Sequence, residues 1–112
     1  MIDSSMLLGA SEKVKNKLSI ARTDILNFKS EIECDKYIAR HKNFMQTLEI
    51  EGIQEIHWVR ATPESLLIFS ILKSKELADV IKGIAKKWRE QHDFGIHDTL
   101  IFDGELIGSF RN

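Results

Sequence analysis

Apolar residues at Val14, Leu18, Ala21, Ile25, Phe28 and Ile32 are separated by four, three, four, three and four positions, the repeat that aligns side chains on one face of a helix. Ser11 stands ahead of this stripe as a suitable N-cap, and Glu12 follows where the helix dipole favours negative charge. No Gly or Pro occurs between Ala10 and Glu51. A second apolar set, Tyr37, Ile38, Ala39, Phe44, Met45 and Leu48, is out of step with the first. One helix through both would be about 60 Å long and would overhang a core this small. The pattern therefore predicts two helices that meet near Ser30 to Asp35, with Asp35 capping the second and Gly52 ending the helical region.

Past Gly52 the period changes. Ile53 to Ala61 carries Ile56, Trp58 and Val59 and reads as a strand. Thr62-Pro63-Glu64-Ser65 is a turn, and the aliphatic run Leu66 to Leu72 is a central strand forming an antiparallel hairpin with the first. Leu77, Val80, Ile81, Ile84, Ala85 and Trp88 give one broad apolar face to a helix that opens at Ser74 and ends near His92. Thr99 to Phe102, then Asp103-Gly104, then Glu105 to Phe110 reads as a final hairpin, since Asp-Gly supplies the positive φ values of a two-residue turn. The expected fold is α+β: two N-terminal helices followed by a β-β-α-β-β unit, forming a four-stranded, mainly antiparallel sheet with helices on one face. Residues 1–10 are expected to be a flexible leader and 11–112 a single domain, divided into a helical region at 11–50 and the ββαββ unit at 53–110.

Composition narrows the function classes. The net charge of -1 leaves no overall basic excess for nucleic acid, so any electrostatic recognition rests on local patches. The lone Cys34 has no partner for an intramolecular disulfide, which points to a reducing, cytoplasmic setting. Its acidic neighbours Glu31, Glu33 and Asp35 would raise the thiol's pKa and keep it unreactive. The short apolar patch Met6-Leu7-Leu8 has neither the length nor the basic flank of a signal peptide or a membrane span. There is no phosphate-binding glycine loop, CxxC or HExxH pattern.

Three constellations carry the chemistry that can be named. The seam Val14, Leu18, Ile25, Phe28 and Ile32 has the regularity of a helix–helix contact, either within the chain or with a second copy. Lys75, Lys82, Lys86 and Arg89 fall along one stripe of the helix at 74–92 and form a candidate phosphate-tracking surface, against the simpler reading of a solvated face. His92, Asp93, His97 and Asp98 combine imidazoles and carboxylates around Gly95. They are weak metal or proton-transfer candidates, because helix capping and turn formation account for them as well. With no catalytic motif present, the expected function is a small non-enzymatic interaction or regulatory protein that binds a protein partner or forms a homodimer through its N-terminal helices, with no cofactor and no membrane. The alternatives are a nucleic-acid-binding or ribonuclease-like toxin protein using the basic stripe and the His-Asp loop, and a metal-dependent enzyme built on that loop.

Overall fold

A computed structural model of the chain describes residues 18–111. The chain runs β1 (Ile20–Phe28), α1 (Glu31–Leu48), β2 (Ile53–Thr62), β3 (Ser65–Leu72), α2 (Lys75–Glu90) and β4 (Ile96–Glu105). The strands form one antiparallel sheet in the order β2-β3-β1-β4, so the first strand lies between the third and the last.

This order corrects the expected fold in two places. The segment from Ile20 to Phe28 is a central strand, not the second half of an N-terminal helix. Along it Ile20, Arg22, Leu26 and Phe28 are buried, which is the two-residue period of a strand with one face packed. Alternation was hard to read because two of the inward positions are filled by charged residues, Arg22 and Asp24. Ala21, Ile25 and Phe28 then supplied an accidental three-four spacing. Val14 and the expected helix start at Ser11 lie outside the described residues. The expected last hairpin is likewise one continuous strand. β4 pairs with β1 without interruption from Asp98 opposite Asn27 to Glu105 opposite Ile20. Gly104 faces Ala21 within this ladder and does not take positive φ. The side chain of Asp103 is held across the ladder by Arg22, which fixes the Asp-Gly pair in extended form.

The second expected helix is present, but its boundaries move. Ser30 is the N-cap, accepting a hydrogen bond from the Glu33 amide. Asp35 sits inside the first turns and pairs with Arg60 of β2. The helix stops at Leu48 because Glu49 adopts a left-handed conformation, φ 48° and ψ 38°. Ser74 caps α2 in the same manner, accepting from the Leu77 amide. Within α2, Ala78 and Ile81 are buried, whereas Val80, assigned to the apolar face, is 56% exposed.

The core falls into two apolar clusters. Leu26, Phe28, Cys34, Tyr37, Leu66, Ile68 and Phe94 form one, packed around α1. Ile20, Leu72, Ala78 and Ile81 form the other, beneath α2. On β1 the two clusters are separated by Arg22 and Asp24, so a polar row crosses the middle of an otherwise apolar interior. Among the described residues no helix is long and apolar enough to cross a membrane.

Candidate functional site

The ladder registers place the inward side chains in rows across the sheet. One row runs Ile56, Ser70, Arg22, Asp103 and the next runs Trp58, Ile68, Asp24, Ile101. Above these rows the two helices leave a cleft with a cavity of about 30 Å³ that reaches Arg22, Asp24, His41, Met45, Ser70 and Ile81. Such a volume is enough for ordered water, and the site has the polar groups to hold it.

Each polar group in the cleft has a definite state. Arg22 is 5% exposed, and its guanidinium donates to both carboxylate oxygens of Asp103, at 2.7 and 3.0 Å, and to the Ala78 carbonyl at 2.7 Å. The bidentate bond from Arg22 holds the Asp103 carboxyl below its usual range, and burial pushes the other way. Asp24 is different. Burial drives its pKa up to about 6, against the pull of Arg22 and Arg89, and its Oδ1 is buried without a hydrogen-bond partner among the described residues. His41 is 7% exposed, and burial, reinforced by the nearby Arg89 charge, lowers its pKa to about 4, so the ring is neutral at physiological pH. The Trp58 indole donates to His41 Nδ1 at 3.0 Å. An indole nitrogen is a donor only, so the imidazole proton sits on Nε2.

The Tyr37 hydroxyl is the third unusual group. It is buried beside the Arg89 guanidinium, and burial raises its pKa to about 12 against the pull of Arg89. Arg89, half-buried near the end of α2, lies close enough to bias Tyr37, His41 and Asp24 together. Aromatic rings close this end of the cleft. Trp88 stacks on Phe44 with centroids 4.5 Å apart, and Tyr37 meets Phe94 and Phe28 at 5.1 and 5.2 Å.

The opposite face of the sheet has another character. Val59, Leu67, Ile25 and Leu100 line up in one row across all four strands, and His57, Phe69, Thr23 and Phe102 in the next. Neither helix covers this face, and Val59, Leu100 and Phe102 are 48%, 58% and 52% exposed. Scattered single apolar residues are normal on a surface, but adjoining rows are not.

The residues singled out from sequence are dispersed by this fold. Of the expected seam, Leu18 is half-buried before β1, Ile25 is on the open sheet face, Phe28 is in the core and Ile32 is 65% exposed on α1. They share no common surface, because the helix that would have aligned them is a strand. In the basic stripe Lys75 is paired with Asp79 at 2.8 Å, Lys82 and Lys86 are exposed, and Arg89 acts on the cleft. In the His-Asp loop, His92 Nδ1 lies 3.1 Å from the Trp88 carbonyl, Asp93 accepts from the Gly95 amide, and Asp98 accepts from the Asn27 side chain. His97 is exposed. Among the described residues no three His, Cys, Asp or Glu side chains gather as a metal site would require. Cys34 is fully buried, and burial is the main cause of its raised pKa, with Arg60 opposing and Asp35 adding to the shift.

Sequence reasoning gives Tyr37 only a place on an apolar helix face and assigns no site role to Arg22, Asp24 or His41. A signal was available: two charged residues alternate between Ile20 and Leu26 in a stretch whose other inward positions are apolar. It becomes legible only once that stretch is known to be a strand.

The chain matches no protein-family model and no curated protein. Solved structures do resemble it. A dimeric ferredoxin-like protein from an uncultured marine organism superposes with a TM-score of 0.68 at 13% identity, covering 90% of this chain and 98% of that one. The fold is ferredoxin-like. NE2512, a protein of unknown function from Nitrosomonas europaea, gives the same TM-score and identity over 87% of this chain and 97% of its own. The hydroxynitrile lyase of Passiflora edulis gives 0.55 at 17% identity, over 82% and 97%. At these identities the likeness is one of ferredoxin-like fold, and the activity of a neighbour does not follow from it.

Proposed function

We propose that the protein is a non-enzymatic interaction domain that works as a homodimer, with its two protomers packed sheet against sheet. The observation that carries this reading is the double row Val59–Leu67–Ile25–Leu100 and His57–Phe69–Thr23–Phe102, which neither helix covers among the described residues. Burying apolar area stabilises an interface by roughly 25 cal/mol per Å², and sheets pack face to face at about 10 Å when their inner sides are apolar. A two-fold contact lets each row meet its own copy, so one patch serves both partners. The marine ferredoxin-like neighbour is described as dimeric, which supports the reading without fixing which surface is used here. The proposed surface is the back of the sheet in place of the helical seam expected from sequence, and among the described seam residues Ile25 lies on it.

Sedimentation equilibrium over a wide concentration range tests this. The protein is expected to sediment as a dimer, and Phe102→Asp or Leu100→Asp to sediment as a folded monomer. A wild-type protein that stays monomeric at the highest concentration, or aspartate variants that remain dimeric, would overturn the reading.

A further inference from the structure

β4 ends at Glu105, but the chain beyond it stays tied to the sheet, for the Leu106 amide donates to the Ser19 carbonyl at 2.9 Å. Five residues later the Arg111 guanidinium lies 3.8 Å from the Glu55 carboxylate on β2. β2 and β4 are the two edges of the sheet. They stand about 14 Å apart at the usual strand spacing, and five extended residues reach about 17 Å. The tail therefore crosses from one edge to the other. It follows the border of the open face, because Glu55 belongs to that face: its row runs Glu55, Ile71, Ala21, Gly104, next to the row of Phe102.

The crossing does not cover the tail's own apolar side chains. Ile107 is 90% exposed and Phe110 88%. The border row also has a shallow place at its β4 end. Ala21 and Gly104 bring little side chain there, and a Cβ at Gly104 would meet nothing within 4 Å among the described residues. One end of this border thus carries a large apolar group, and the other end has room for one.

Charge and symmetry select the occupant. The ladder residues of the open face include Glu55 and Asp98 and no Lys or Arg, so the face does not suit a phosphate-rich partner. A second copy brings Arg111 to that acidic face. A two-fold axis along the strands lays each row on its own copy and sets β2 of each protomer over β4 of the other. Phe110, at the β2 border, then faces Gly104 of the second copy. A two-fold axis across the strands would instead set the tail on Ser65, Asn27 and Asp98, which are hydrogen-bonded to one another. Covering those polar groups with Phe110 would cost desolvation and return no bond.

We propose that residues 106–111 form a dimer arm, with Phe110 of each protomer seated over Ala21 and Gly104 of the second copy. The proposal rests on the sheet-to-sheet dimer and extends that contact beyond the strands. A covered Phe adds about 150–250 Å² toward the roughly 800 Å² that each partner of a specific interface buries.

Cross-linking tests it on the full chain. Phe110→Cys protein and size-tagged Gly104→Cys protein are mixed, treated with a short bismaleimide and resolved on a denaturing gel. The mixed product is expected to exceed either self-linked product. Wild-type protein should give none, because Cys34 is fully buried. In sedimentation equilibrium, Phe110→Ser should raise the dimer dissociation constant about tenfold or more. Gly104→Phe, which fills the shallow place, should do the same, with the circular dichroism of both variants unchanged. A Phe110→Cys/Gly104→Cys double variant that links within one chain would overturn the proposal, since the tail would then lie on its own sheet. A dimer as tight in both substituted proteins as in the wild type would remove the arm and leave the sheet-to-sheet dimer standing. A wild-type monomer would remove that dimer, and the arm with it.

Discussion

In the cleft, Asp24 and His41 are both held away from their ordinary protonation behaviour by burial, in opposite directions. The Asp24 pKa is raised from 3.8 to about 6, so the folded state keeps a proton that the unfolded chain releases, and stability falls as pH rises through this window. The His41 pKa is lowered from 6.5 to about 4, so the unfolded chain takes a proton that the folded state refuses, and stability rises over nearly the same window. Arg22, Arg89 and Asp103 also face these groups but carry fixed charge across it. The two dependences largely cancel, and urea denaturation of the wild-type protein between pH 4 and 6.5 should show a shallow profile. Asp24→Asn removes one side of the balance, so its stability should climb over that range by about 2–3 kcal/mol. His41→Gln removes the other, and its stability should decline. A second residue-scale prediction concerns Arg22. Asp103→Ala leaves a buried guanidinium with only the Ala78 carbonyl. It should cost about 2–4 kcal/mol, less than a fully enclosed pair because the Asp103 side chain is 21% exposed.

At the scale of elements, turns carry the strain. Glu49 ends α1 in a left-handed conformation that a side chain disfavours, and Glu49→Gly should stabilise the protein by about 1 kcal/mol in chemical denaturation. Gly95 sits at φ +65°, and a Cβ there would collide with the Glu33 carboxylate. Gly95→Ala should therefore destabilise by about 1–3 kcal/mol. These elements also show what could be read from the sequence. The β2–β3 hairpin, the central aliphatic strand and α2 with its Ser74 cap follow directly from local period and capping chemistry. The antiparallel four-stranded sheet was legible too. β1 was not, because Arg22 and Asp24 occupy the inward positions that would have announced a strand. The Asp103-Gly104 turn failed for the related reason that a contact 81 residues away in sequence, with Arg22, outweighed a local turn preference. Arg22 thus figures in both misread strands, beside Asp24 on β1 and bonded to Asp103 on β4.

For the whole molecule, the two faces of the sheet differ in character. One carries the helices and the polar cleft, and the other presents the apolar rows. If the open face is an interface, unfolding is coupled to dissociation, and the midpoint of thermal unfolding should rise with protein concentration. Phe102→Asp should unfold at a concentration-independent temperature. Differential scanning calorimetry at several concentrations distinguishes the two behaviours.

The pairing of β1 with β4 has a consequence for how the chain comes into being on a ribosome. Of the four described strands β1 is synthesised first, yet its second neighbour, β4, is synthesised last. Until β4 has followed, the nascent chain can build three strands and both helices. β1 would then still have an unpaired edge, and Arg22 would still await Asp103. Completion of the sheet and neutralisation of its buried cation are one late event, so the unfinished protein is the form most exposed to pairing with a stranger's strand.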